Sequence, residues 1–188
     1  MEDHILIEKV LAGDSNAFSG LIDRYKDMVY TLAIRIVKNN EDAEEVAQDS
    51  FIKAFEKLDS FKGSSKFSTW LYTIVYRTAL TKVRKKKVDT ADIDAYVMDN
   101  YTEGGDTQQL RAIQSQEQQK YVQEAMARLS GTDALVITLF YMEDHSIEEI
   151  MEVTEMSQSN VKVRLFRARK RLFNELSLLL KEEVKSLI

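Results

Sequence analysis

The stretch Ser146–Leu172, SIEEIMEVTEMSQSNVKVRLFRARKRL, reads as two amphipathic helices separated by a short break. Ser146 and Glu149 have the spacing of a capping box, in which a hydroxyl takes a first-turn N–H while a carboxylate reaches back to the cap. A short helix with Ile147, Ile150 and Met151 follows, Thr154–Met156 interrupt it, and Ser157 opens a second helix. There Val161, Leu165, Ala168 and Leu172 recur at offsets of four, three and four, which makes them the face that packs inward. This is helix-turn-helix spacing.

The opposite face carries Asn160, Val163, Phe166, Arg167 and Lys170, flanked by Lys162, Arg164 and Arg169, with no acid among them. Such a face suits a duplex major groove, where an arginine bonds guanine at two points and apolar groups meet thymine methyls. The plainer alternative is a solvated basic helix with Phe166 packed on a neighbour.

Upstream, the chain has a second acid-free basic stretch, Lys66–Lys87, with Arg77, Lys82, Arg84, Lys85, Lys86 and Lys87. Both stretches sit in a chain of 188 residues whose net charge is −5, so the distribution of charge, not its sum, points to nucleic acid. The acid is concentrated between them, at Asp89, Asp92, Asp94, Asp99, Glu103 and Asp106. With 44% hydrophobic and 30% charged residues the chain can build modest cores. It has no proline, which leaves long helices unobstructed, and no cysteine, which excludes disulfides and thiolate sites and suits a reducing cytosol. No apolar run approaches the ~20 residues of a membrane span, so a cytoplasmic chain without membrane insertion is expected.

The remaining pattern is helical. Ile5–Leu11 stop at Gly13; Asp14 is placed to cap a second helix with Phe18, Leu21, Ile22, Tyr25, Val29, Leu32 and Ile36 inward. After Asn39 and Asn40, a third helix from Glu41 to about Leu58 turns Ala43, Val46, Ala47, Ala54, Phe55 and Leu58 inward. Phe61–Ser68 form a polar loop, and Ser68 or Thr69 caps a fourth helix with Trp70, Leu71, Ile74, Val75, Thr78 and Ala79. The expected fold is therefore all-α, with two small helical domains, 1–87 and 120–188, joined by an acidic flexible linker, 88–119.

Two further surfaces stand out. Phe67–Arg77 interleave aromatics with a basic helix, an arrangement that suits single strands because unstacked bases lie on rings while phosphates meet cations. Trp70 also fits a core position, and Tyr72 and Tyr76 are open between the two roles. On the third helix, Glu45, Gln48, Asp49 and Ile52 share an outer face that is either solvated or a protein interface. His4 and His145 lack evident partners, no phosphate-cradling glycine loop or metal-ligand spacing occurs, and acid pairs such as Glu148 and Glu149 suit helix N-termini. No enzyme, cofactor or metal is expected.

Four motifs, Gly13-Asp14-x-x-Ala17-Phe18, Asp42-Ala43-Glu44-Glu45-Val46-x-Gln48-Asp49-x-Phe51, Phe67-x-Thr69-Trp70-Leu71-Tyr72 and Val161-Lys162-x-Arg164-Leu165-x-Arg167-Ala168-Arg169, occur in this order. The chain thereby resembles the extracytoplasmic function (group IV) sigma factors of bacterial RNA polymerase along nearly its whole length. The resemblance implies that 1–87 is sigma region 2 and 120–188 sigma region 4. It implies that Asp42, Glu45, Gln48, Asp49 and Ile52 bind the clamp helices of the polymerase large subunit. Gly63, Ser64, Ser65, Lys66, Trp70, Thr73, Arg77 and Arg84 would meet the melted −10 element and a flipped base. Lys162, Val163, Phe166 and Arg167 would read −35 bases, with Ser157, Asn160, Arg164, Arg169 and Lys170 on phosphates.

The resemblance further implies an anti-sigma partner. A linker of about 30 residues, typically ~30 Å end to end and at most ~100 Å, spans the ~50 Å between the two elements if held extended. The chain departs from the family pattern at Arg77, where an Asn is common, at Leu80, where an Asp is common, and at Ser159, Asn160 and Val163 of the recognition helix. A stand-alone helix-turn-helix regulator, or a helical adaptor for acidic proteins, are the other classes the pattern admits.

Overall fold

The computed structural model describes residues 2–89 and 116–186, and among them every regular element is helical. In chain order these are α1 (Glu2–Leu11), a 3-10 turn (Ser15–Ala17), α2 (Phe18–Val37), α3 (Asn40–Glu56), a 3-10 turn (Leu58–Ser60) and α4 (Phe67–Asp89). Then come α5 (Gln116–Arg128), α6 (Gly131–Ile137) prolonged by π-type turns (Thr138–Met142), α7 (Ile147–Thr154) and α8 (Gln158–Ser186). The sequence-based linker, 88–119, lies outside the described residues except for the end of α4 and the start of α5.

α2, α3 and α4 form a three-helix layer around Leu21, Val29, Leu32, Val46, Leu71 and Val75, all essentially sealed from water. The expected stripe of α8, Val161, Leu165, Ala168 and Leu172, is buried against α5 and α6, where Met126, Leu129, Leu135 and Leu139 fill the interior. Removing such side chains from water supplies most of the driving force for folding.

Helix ends follow local chemistry. Lys38 takes a left-handed conformation (φ 56°) that closes α2, and Asn39 then caps α3, its side chain accepting the Asp42 N–H at 2.9 Å. Three expectations need correction. Asp14 precedes the 3-10 turn, makes no side-chain cap bond, and α2 begins only at Phe18. α4 begins at Phe67, the Trp70 N–H donating to the Lys66 carbonyl at 3.2 Å, so Ser68 and Thr69 lie inside its first turn. Phe55 is 43% exposed instead of facing inward, with its ring set edge-on to Phe18 at 5.2 Å.

The two groups of helices share one continuous core, with α4 seated on α7 and α2 on α6. Gly131, the first residue of α6, lies against α2: a Cβ there would stand 3.0 Å from the Ile36 Cα and carbonyl oxygen. It would crowd that backbone, so space, not φ, favours glycine at the crossing.

Candidate nucleic-acid interface

The helix-turn-helix is built by the reciprocal cap that its sequence announces. The Ser146 N–H donates to Glu149 Oε2 (2.8 Å) and the Glu149 N–H donates to Ser146 Oγ (3.1 Å). Glu155, in the left-handed region (φ 58°), stops α7 by returning its N–H to the Met151 carbonyl at 2.8 Å. Ser157 Oγ accepts the Asn160 N–H at 3.4 Å at the start of α8.

The outer face of α8 is only partly open to solvent. Ser157, Asn160, Lys162 and Lys170 are exposed, and Val163 is 42% exposed, while Phe166, Arg167 and Arg169 are half-buried. Arg169 Nη1 donates to the Tyr141 hydroxyl at 3.3 Å. Arg164 is anchored, its Nη1 donating to Asp133 Oδ1 at 2.8 Å, and Arg171 donates to the other oxygen at 2.9 Å. Asp133 is 3% exposed, so this carboxylate from α6 pins two turns of the basic helix. Sequence reading missed it: nothing in the pattern marks this acid as a receptor for arginines.

The second basic surface lies where α4 meets its preceding loop. Gly63 is left-handed (φ 68°) with open space around its Cα, so the turn selects glycine for conformation. Ser64 and Lys66 are exposed and Ser65 half-buried. Ser65, Trp70, Thr73 and Arg77 line one groove of about 560 Å³, together with Lys53 of α3 and Lys57 just past its end. Those two lysines were not expected there; their i, i+4 spacing was readable, but not which helix they face. Arg84 is exposed two turns farther along α4, about 10 Å beyond Arg77.

Trp70 serves both roles left open by its sequence, since one side packs on Phe61 (5.4 Å) and Phe67 (5.6 Å) while the ring also borders the groove. Tyr72 and Tyr76 are buried. Burial and the neighbouring Glu143 carboxylate push the Tyr72 phenol well above its ordinary range, and its hydroxyl donates to Glu143 at 3.1 Å. His145 is buried too, its ring 5.6 Å from that of Tyr72, so it is a packing residue between the helical groups.

Two cations of this surface already have acidic partners. Lys66 Nζ lies 2.9 Å from Glu149 Oε1, and Arg77 bonds Glu155. Burial alone would raise the Glu149 carboxyl, but Lys66 and the N–H and hydroxyl of Ser146 outweigh it and draw it down to about 2.

On α3, Glu45, Gln48, Asp49 and Ile52 (56%) are exposed, whereas Asp42 is half-buried. Lys86 (2.7 Å) and Lys82 (3.5 Å) hold Asp42, and Lys82 also reaches Glu45 at 2.5 Å. The Lys86 bond, opposed by partial burial, keeps the Asp42 carboxyl below its ordinary range. The acidic end of the face is thus tied to the basic tail of α4, leaving Gln48, Asp49, Ile52 and Phe55 as its open strip. Among the described residues no three His, Asp or Glu side chains converge as a metal site, and no helix is long and apolar enough to cross a membrane.

Residues 21–88 match the Sigma-70 region 2 family and residues 119–172 the Sigma-70 region 4 family. The chain is 34% identical over 176 residues to the ECF RNA polymerase sigma factor SigW of Bacillus subtilis, covering 90% of this chain and 94% of that protein. It is 33% identical over 187 residues to the ECF RNA polymerase sigma-E factor of Escherichia coli K12, covering 96% and 97%. In fold it is similar to the sigma factor RpoE of Bartonella quintana, solved with the anti-sigma factor NepR (TM-score 0.64, 24% identity, 85% and 96% covered). It is likewise similar to CnrH, solved with the cytosolic domain of CnrY (TM-score 0.62, 22% identity, 94% and 97% covered).

Proposed function

The chain belongs to the ECF sigma factors of RNA polymerase, and from that membership we propose how its surfaces divide the work of initiation. A sigma factor directs core polymerase to promoters; this chain is an initiation factor and not an enzyme. The finer reading places it in group IV, in the cytoplasm, with region 2 at 1–87, a linker at 88–119 and region 4 at 120–188.

In this reading Asp42, Glu45, Gln48, Asp49 and Ile52 take the clamp helices of the polymerase large subunit, the apolar Ile52 supplying contact area amid acids that select a basic partner. Lys162, Val163, Phe166 and Arg167 read the −35 element as duplex. Ser157, Asn160, Arg164, Arg169 and Lys170 hold phosphates, which fix register without specifying sequence. The loop Gly63–Lys66 with Trp70, Thr73, Arg77 and Arg84 takes the −10 strand once unstacked, an opening that costs a few kcal/mol and so selects the sequence whose bases fit.

The observation that carries the reading is the acid-free outer face of α8, set by a reciprocal cap and anchored through Asp133. The net charge of −5 opposes DNA binding by the free chain, so each reading head depends on the polymerase for residence. An anti-sigma partner is also expected, as the similar sigma factor RpoE was solved in complex with the anti-sigma factor NepR.

Promoter-specific transcription by purified core enzyme tests the reading: transcripts that start only when this chain is added support it, and equal output with and without the chain sinks it.

A further inference from the structure

We propose that the loop-and-α4 face assigned above to the −10 strand is also the docking site of α7 of the same chain, so that the free factor rests closed with its −10 face masked. The proposal builds on the −10 assignment.

Glu149 and Glu152 on α7 and Glu155 at its C-cap recur every three residues, an acidic series along the α7 segment. Glu149 lies 2.9 Å from Lys66, Glu155 bonds Arg77, and Glu152 borders the groove between them beside Trp70. The three carboxylates thus stand over about 9 Å where strand phosphates would meet the same cations.

Behind these acids runs a seam of close packing. The Tyr72 ring stacks near His145 and its hydroxyl donates to Glu143; Lys38 donates to the Leu129 carbonyl. Gly131 lets α6 touch the backbone of Ile36. Exposed ion pairs contribute little each, so the seam holds the closed state while the acids determine which surface it covers. α7 and a single strand compete for Lys66 and Arg77, and strand affinity falls by the fraction of chains that are closed.

The chain has no cysteine, so Glu56→Cys and Asn174→Cys give a clean donor–acceptor pair for energy transfer across the two helical groups. Two variants should lower the transfer: Gly131→Leu, which wedges α6 from α2, and the surface change Glu155→Arg, which sets two like charges together. Arg77→Glu combined with Glu155→Arg should restore it. The Glu155→Arg chain should also bind a mixed-sequence single strand about threefold to tenfold more tightly, the scale of one or two exposed ion pairs.

Equal transfer in the parent and both variants, or opened variants with unchanged strand affinity, would overturn the masking. Adding Lys66→Ala and Arg77→Ala to the Gly131→Leu chain separates the two ideas. Loss of strand binding there upholds the −10 assignment, and no loss overturns that assignment and the masking with it, whatever the energy transfer shows.

Discussion

The two basic surfaces differ in what surrounds their cations. On α8, Lys162 is exposed on a face whose own residues carry no acid, while Asp133 sits behind the helix and orients Arg164 and Arg171. On α4 the acids stand in front: Glu149 and Glu155 occupy Lys66 and Arg77 themselves. A carboxylate beneath a basic helix stiffens a reading head, whereas one above it competes with DNA. The −35 head is presented ready-made, and the −10 head has to be uncovered.

The contrast requires both heads to share one core, and Leu135→Ala breaks it most severely. This fully buried side chain belongs to α6, which packs on both α2 and α8, and its loss should cost about 2–5 kcal/mol. Urea unfolding followed by helicity should show the two groups weakening together; a transition split in two, with the first group unaffected, would separate them.

Next in size is Asp133→Ala. Removing the buried carboxylate releases two arginines to water, at a cost of about 1–3 kcal/mol in thermal unfolding. Duplex −35 binding by the holoenzyme should fall while binding to the −10 strand stays, since only α8 loses its anchor.

Arg167→Ala should lose about 1–3 kcal/mol of discrimination at one −35 base pair, whereas Arg169→Ala should weaken binding evenly across sequences and flatten its salt dependence. Equilibrium binding to single-base promoter variants reads both. Ser146→Ala, which opens the reciprocal cap, should cost about 1 kcal/mol of stability.

Last, stability should vary with pH. Glu149 is held at about 2 in the folded chain against an ordinary 4.5, so its ionised form favours folding. That contribution is complete above about pH 4.5 and drains away as the pH falls toward 2. Glu149→Gln should flatten the pH dependence of stability within that window; an unchanged slope would show that Lys66 and Ser146 do not hold the carboxylate.

Much of this was readable beforehand for a physical reason: a helix with a three-and-four apolar stripe has one way to face a core. Val161, Leu165, Ala168 and Leu172 are buried as their spacing requires, and Ser146 with Glu149 forms its cap. Errors fell where local signals compete. Ser68 and Thr69 are good cap residues, yet Phe67 opens α4 because its ring packs against Tyr25 and Phe61. Phe55 fits the inner stripe of α3 but sits at its last turn, where Phe18 supports only one edge of it.

What sequence periodicity cannot carry is long-range pairing. The repeat Glu149, Glu152, Glu155 was visible, but a solvated helix face has the same pattern. Only the approach of Gly131 to Ile36 and of α7 to α4 gives those acids partners.

The most direct test of the divided reading selects promoters from a randomised library with holoenzyme assembled on this chain. The wild type should enrich two sequence blocks, Arg167→Ala should alter only the upstream block, and Trp70→Ala only the downstream one. A single block, or the same change from both variants, would contradict the account.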